Sequence, residues 1–468
     1  MTIARLRIAI AIVGAIGLQA PAAAHVGSPD VFLDGHAGAY RLLITIRPPT
    51  VIPGVADVEV LTTSDDVRDV RIVPLPLTGV GARFAPVPDR AQRSSDDARL
   101  FTGHLWLMGA GAWQVRVTIS GDRGEGTLSV PVPALPQSTL AMTPGLRVIL
   151  FVLMLLLGGG FVAIVSAMAR EAKLGAGEAL DPRSRRRGRI AGAIATIGVG
   201  GIIFLGNIWW TVEATAYDRY VYKPLTAVPA LSSDGTLKLE LHDPGWIGSR
   251  RVDDFVPDHG HPMHLFVLSP ELDRLWHLHP EEIRAGGFQQ RMPDLPAGKY
   301  ELFADLVHAT GVSETVIATL ETSGINGSPL SGDDSGWAAS DTPVTKIVWV
   351  RDKTPLVPRK LTTFTFRVED DKGVPVQDLE LYMGMPGHAV FVRRDRQVFA
   401  HVHPSGSAPM AAMQIAMPST TPHAEHETAP PSTVTFPYGF PEPGQYRIFV
   451  QIKRAGAVMT GAFNADVN

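Results

Sequence analysis

Two long apolar runs divide this chain and restrict every other choice it has. Residues 146–168 carry a single charge, Arg147 at the edge, and residues 190–211 carry none. Each run meets the roughly 20 residues that a helix needs to cross the hydrocarbon core of a bilayer. The segment between them, 169–189, holds seven basic residues (Arg170, Lys173, Arg183, Arg185, Arg186, Arg187 and Arg189) against three acids. Short basic loops stay on the cytoplasmic side. The expectation is a two-span hairpin whose flanking regions both lie outside. Trp209 and Trp210 close the second run and read as interfacial anchors.

The N-terminus points the same way. Arg5 and Arg7 precede an apolar run from Ile8 to Leu18, followed by Ala22, Ala23 and Ala24. That is the order of a secretory signal, 1–24, cleaved after Ala24; an uncleaved anchor is the alternative. The predicted location is a bacterial inner membrane, with the N- and C-terminal domains in the periplasm. The sequence has no cysteine, which removes disulfides, thiolate metal sites and cysteine nucleophiles. A net charge of −4 gives none of the basic excess expected of a nucleic-acid binder.

Outside the two spans the chain alternates in short pieces bounded by Gly, Pro and Asp, with 46 glycines and 38 prolines in all. Segments such as YRLLITIRP (40–48), TLKLELHD (236–243) and KLTTFTFRVED (360–370) read as strands. The expected fold is all-β exported domains, immunoglobulin-like sandwiches, plus two transmembrane α-helices. The domains are placed at 25–142, 235–323 and 345–468, with a Gly/Ser/Asp-rich linker at 324–344. A glycine two residues before an aromatic recurs as Gly298 and Tyr300, Gly444 and Tyr446 and, more weakly, Gly111 and Trp113. That recurrence suggests one β-unit used repeatedly.

The repeat carries chemistry. MHLFVLSPELDRLWHLHP (263–280) places His264, His277 and His279 where GHAVFVRRDRQVFAHVHP (387–404) has His388, His401 and His403, each 124 positions later. Residues two apart on a strand share a face. With 269–274 as the turn, His264 pairs with His279 and Phe266 with His277, so three imidazoles share one face. Opposed Cβ atoms are then ~4.5–5.5 Å apart, close enough for one ion. Imidazole suits copper and zinc without thiolate. A solvent-facing or core-packed set of histidines would give the same pattern in a single copy. Eight of the 15 histidines nevertheless fall in 259–279 or 388–403.

Further candidates surround these blocks. DHGHPMH (258–264) adds His259, His261 and Met263, and the second copy has Met385 before its first histidine. An insert at 405–432 brings Met410, Met413, Met417, His423 and His426, read as a soft-ligand transfer arm. Cleavage after Ala24 would leave His25 first, offering amine and imidazole to one Cu(II), with His36 and His104 as the candidate partners in that domain.

A chain beginning with His at such a cleavage site, with a β-sandwich and Met/His segments, resembles the bacterial copper-resistance family typified by CopC. The two histidine blocks are similar to YtkA-like exported metal-handling domains. The resemblance implies copper, Cu(I) or Cu(II), bound outside the membrane for resistance, storage or delivery, without catalysis, and a periplasmic or membrane copper donor or acceptor protein as partner. Zinc is the alternative ion. Two other classes stay open: a structural or assembly protein with immunoglobulin-like domains, and a copper-dependent oxidase or oxygenase using His25.

Overall fold

The computed structural model describes residues 30–175, 177–246, 250–336, 345–352, 354–417 and 429–468. They form two compact units. One covers Ser138–Tyr222; the other comprises the chain up to Gln137 together with Lys223–Asn468. The signal segment, its cleavage point and His25 lie outside the described residues, as do His423 and His426.

Ser138–Tyr222 is a helix pair, α1 (Pro144–Glu171) and α2 (Pro182–Asp218). Both are long and apolar enough to cross a membrane, with mean hydropathy 2.9 and 1.8. They overrun the apolar runs at each end, so five of the seven basic residues between the runs belong to the first turns of α2 rather than to a loop. Asp181 starts α2 by accepting a hydrogen bond from the Ser184 N–H at 2.6 Å. The helices approach closely at Gly188: the Ser166 hydroxyl donates to its carbonyl at 2.9 Å. A Cβ there would come within 2.9 Å of the Ser166 carbonyl oxygen, which is why a small residue stands at this crossing.

The other unit holds three sandwich-like domains. In the first, one sheet runs Val31–Ala37, Tyr40–Arg47, Gly54–Thr62, Leu100–Leu107, Gln92–Arg93; the other runs Asp89–Arg90, Val67–Pro76, Gly111–Gly121, Gly124–Ala134. Alternation sends Tyr40, Leu42, Ile44 and Ile46 inward. The second domain pairs Thr226–Leu231, Thr236–His242, Gly287–Arg291 and Glu281–Arg284 against Leu275–Leu278, His264–Leu268, Gly298–Val307 and Ser313–Thr322. The Thr226–Leu231 strand belongs to this domain, so it begins before the expected residue 235. The third sets Lys346–Val350, Thr362–Glu369 and Thr433–Tyr438 against a sheet of Leu379–Glu380, Gly444–Arg454, His388–Arg393 and Phe399–Val402. Ala457–Val467 flanks Gly444–Arg454 on its other edge.

The glycine–aromatic recurrence has a structural meaning. Tyr300 and Tyr446 donate to the carbonyls of Pro296 and Glu442 at 2.9 and 2.8 Å, and the Trp113 indole N–H donates to Gly109 at 2.8 Å. In all three domains the aromatic ties its strand to the residue four positions back, a device familiar from the tyrosine corner of sandwiches.

The second and third domains pack sheet against sheet. All five residues of His264–Leu268 are buried. Leu265 and Val267 face their own domain's core. Phe266, Leu268, Leu275 and Phe303 meet Val390, Val392, Phe399 and Phe449 of the third domain. Phe303 and Phe399 stack with ring centroids 4.2 Å apart. The histidine face of each hairpin is therefore turned to the other hairpin, in an apolar seam.

The insert departs from its expected role. Its described part contains a short helix, α3 (Met410–Ala416), preceded by a segment that pairs with the first domain. The Asp34 N–H donates to Ser405 at 2.7 Å and the Ser407 N–H to Phe32 at 2.9 Å. Gly406 sits at φ +131°, where a Cβ would lie 2.0 Å from the Phe32 carbonyl oxygen. Met413 and Met417 pack against the first domain's core, and the Met417 Sδ lies 3.4 Å from the Ser129 nitrogen. These methionines clamp two domains together and are not a free transfer arm. Apolar contact with a neighbouring core outcompeted exposure.

Candidate metal centre

The hairpins have the expected register. Phe266 lies opposite His277, and Val390 opposite His401. Ser269 shapes the first turn, its hydroxyl accepting from the Asp273 and Arg274 N–H groups at 3.1 and 2.9 Å. Because the two sheets face each other, their six histidines form one cluster. The His401 ring is 5.6 Å from those of both His264 and His277, and His277 is 6.0 Å from His388.

The segment before each first histidine is a matching turn. Asp258 bridges to His261, and Tyr382 to Met385. His259 and Met383 stand at φ 51° and 50°, each followed by a left-handed glycine, Gly260 and Gly384. The equivalent positions again differ by 124, so His259 corresponds to Met383 and His261 to Met385. His259 reaches across the seam to His388 and His403, with ring centroids 5.4 and 4.9 Å away. His261 stacks on His279 at 4.1 Å. The cluster thus holds eight imidazoles.

Two triads in it bring one nitrogen from each residue within 4.8 Å of the others: His264, His277 and His279, and His259, His388 and His403. In the first triad the outer partners fix the tautomers. His264 Nε2 faces the Asp258 carbonyl oxygen at 2.9 Å and so carries the proton. The Gln451 amide N–H groups donate to Ser335 at 2.8 Å and Thr460 at 3.3 Å, which turns its Oε1 to His277 Nδ1 at 3.1 Å. His279 Nδ1 faces the Asp334 carboxylate at 3.1 Å. Each inner nitrogen is then a lone pair. His264 Nδ1 and His277 Nε2 stand only 3.0 Å apart, an arrangement that repels unless a cation lies between them. An imidazole with its outer N–H held by an acceptor is the usual support of a metal ligand.

Burial pushes the His264, His277, His388 and His403 imidazoles well below the ordinary range, reinforced by neighbouring histidines. Burial likewise takes His401 down to about 3, and lowers His279 despite the opposing Asp334 carboxylate. A proton is therefore a poor cation for this cluster. Among the described residues, seven buried imidazole nitrogens have no hydrogen-bond partner: His259 Nε2, His279 Nε2, both of His388, His401 Nε2 and both of His403. Each unsatisfied buried polar atom costs roughly 1–3 kcal/mol. Three converging imidazoles without thiolate or carboxylate fit copper or zinc.

The domains support each other's central histidine reciprocally. His277 rests on Gln451 of the third domain, and His401 Nδ1 lies 3.4 Å from Asp305 of the second. Gln451 pairs with His388, and Asp305 with His264, on corresponding central strands. Burial raises the Asp305 carboxyl to about 7, against a bond from Thr315 that lowers it.

Other predicted ligands lie elsewhere. Met263 is fully buried in the second domain's own core, because its position faces inward on that turn. Met385 holds His261's equivalent place and is half-buried, and Met410 lies beside Ser405. His104 is exposed on the first domain, paired with Asp57 at 2.8 Å. Sequence reasoning missed the supporting residues. The segment read as linker supplies Asp333 to His261 at 3.0 Å, Asp334 to His279 and Ser335 to Gln451. Its adjacent acids, Asp333 and Asp334, were the one available signal.

A family model described as a domain of unknown function (DUF8832) matches residues 217–324 and 344–468, the two histidine domains. No curated protein matches the sequence. Among solved structures the chain is similar to a tetra-tandem repeat in the extending region of a large adhesion protein, at 8% identity over 90% of this chain and 72% of that one, with TM-score 0.16. It is also similar to Salmonella alpha-2-macroglobulin reacted with methylamine, at 10% identity over 95% of this chain and 24% of that one, with TM-score 0.18. A third is the S-layer protein SbsC domains 4 and 5, at 14% identity over 51% and 88%, with TM-score 0.15. At such scores these likenesses carry no argument about function.

Proposed function

We propose that the protein is a membrane-anchored copper-binding protein that holds ions between two immunoglobulin-like domains, for resistance, storage or delivery on the periplasmic side. The observation that carries this reading is the first triad: three buried imidazole lone pairs converge, and each ring's other nitrogen is held by an acceptor. Copper is favoured over zinc on the resemblance of the histidine blocks to copper-handling domains; the imidazole set itself suits either ion. The second triad would hold a second ion. His259 enters it from the other domain, so that ion would join the domains. α1 and α2 serve as the anchor, and a copper donor or acceptor protein would exchange the ion.

Copper titration of the full chain in detergent, against a competing chelator, tests the reading. The wild type retains copper, and the His277→Ala/His388→Ala variant does not. Equal retention by the two overturns it and leaves a structural role for the β-domains.

A further inference from the structure

The two triads differ in their access to solvent. A cleft of about 960 Å³ in the second domain is lined by His261 and His279 together with Asp234, Glu281, Asp333 and Asp334, opposed by Lys238 and Arg291. Four carboxylates against two basic groups leave its mouth negative. His261 is the half-buried member of the cluster on this side, its Nε2 held 3.0 Å from Asp333. Its ring stacks at 4.1 Å on that of His279, whose unpartnered Nε2 belongs to the first triad. A surface imidazole and a ligand imidazole are thus adjacent at the floor of an acidic cleft.

None of His259, His388 and His403 lines this cleft. Beside them runs the 403–412 segment. His403 and Gly406 exchange backbone hydrogen bonds at 2.8 and 2.9 Å, and the Ala411 N–H donates to the Asp258 carboxylate at 2.7 Å. Ala411 and Ala412 close against Val256 and Val307. Between the triads stands His401, with its ring 5.6 Å from His264 and 4.6 Å from His403 and its Nε2 unpartnered.

We infer that the acidic cleft is the entry port for the metal cation, that His261 passes the ion to the first triad, and that the second triad fills afterwards, by way of His401. The inference rests on the metal-binding reading above. A mouth of one charge raises the local concentration of an opposite ion and speeds association, by ten- to a thousandfold in focused clefts, and salt abolishes the gain. Asp334 and Asp333 are left unchanged because they hold His279 and His261; Glu281 and Asp234 carry charge at the mouth.

The experiment mixes the full chain in detergent with aqueous Cu(II) in a non-coordinating buffer and follows the ligand-field absorbance by stopped flow. The Asp234→Asn/Glu281→Gln variant is expected to take up copper about tenfold more slowly at low ionic strength and at the wild-type rate in high salt. Its final copper content stays that of the wild type. Gln289→Arg, a single surface change that places a positive charge in the same cleft, slows uptake without removing any carboxylate. His279→Ala slows filling of the second triad as well as abolishing the first. Uptake by both charge variants at the wild-type rate in low salt overturns the port while leaving the metal site intact. A wild type that takes up no copper overturns the metal reading itself, and the port with it.

Discussion

At the residue scale the centre depends on groups that would touch no ion. Gln451 is one: its amide is oriented by Ser335 and Thr460, and this orientation fixes which His277 nitrogen is free. Gln451→Leu keeps the volume and removes the acceptor. It should weaken copper at the first triad by 10- to 100-fold, the usual cost of losing such a support, and leave the second triad unchanged; chelator competition reads both. This residue was not legible in the sequence. It lies 174 positions from His277 in the chain, and no spacing rule connects a strand of one domain to a hairpin of another. The candidate ligands on the strands, such as His264 and His277, were legible because a strand's period of two assigns faces without any knowledge of the partner.

Among the elements, the hairpins and the two long helices were readable, each from its own period. What the hairpins face was not. His264, Phe266 and Leu268 lie on one side of their strand and Leu265 and Val267 on the other, and both sides are apolar enough to be buried. Local pattern therefore could not distinguish a solvent face from a seam between domains. The insert misled for a related reason: its alanines and methionines look unpacked until the first domain's core supplies their contacts. For α1 and α2 the charge asymmetry makes a direct prediction. The chain has no native cysteine, so single cysteines report topology cleanly. Ser233→Cys should react with a membrane-impermeant maleimide in intact cells stripped of their outer membrane, and Lys173→Cys only after lysis. The reverse labelling would invert the proposed orientation.

For the whole molecule, the cluster links stability to pH and to metal. His264, His277, His279, His388, His401 and His403 all have folded-state values below the ordinary 6.5. Below pH 6.5 the unfolded chain binds protons that the folded chain refuses, so the stabilising contribution present above 6.5 is lost as pH falls. Each such group contributes a slope of about 1.4 kcal/mol per pH unit. The metal-free protein should show a falling Tm between pH 7 and pH 5, and copper should reduce that fall by occupying the lone pairs. A Tm independent of pH in this range would mean that the imidazoles are not buried neutral. Counting copper retained per chain against a competing chelator tests whether one seam holds two three-imidazole sites. The expected count is two ions for the wild type, one for His277→Ala and one for His388→Ala. A wild type that retains none, or variants that each still retain two, would contradict it.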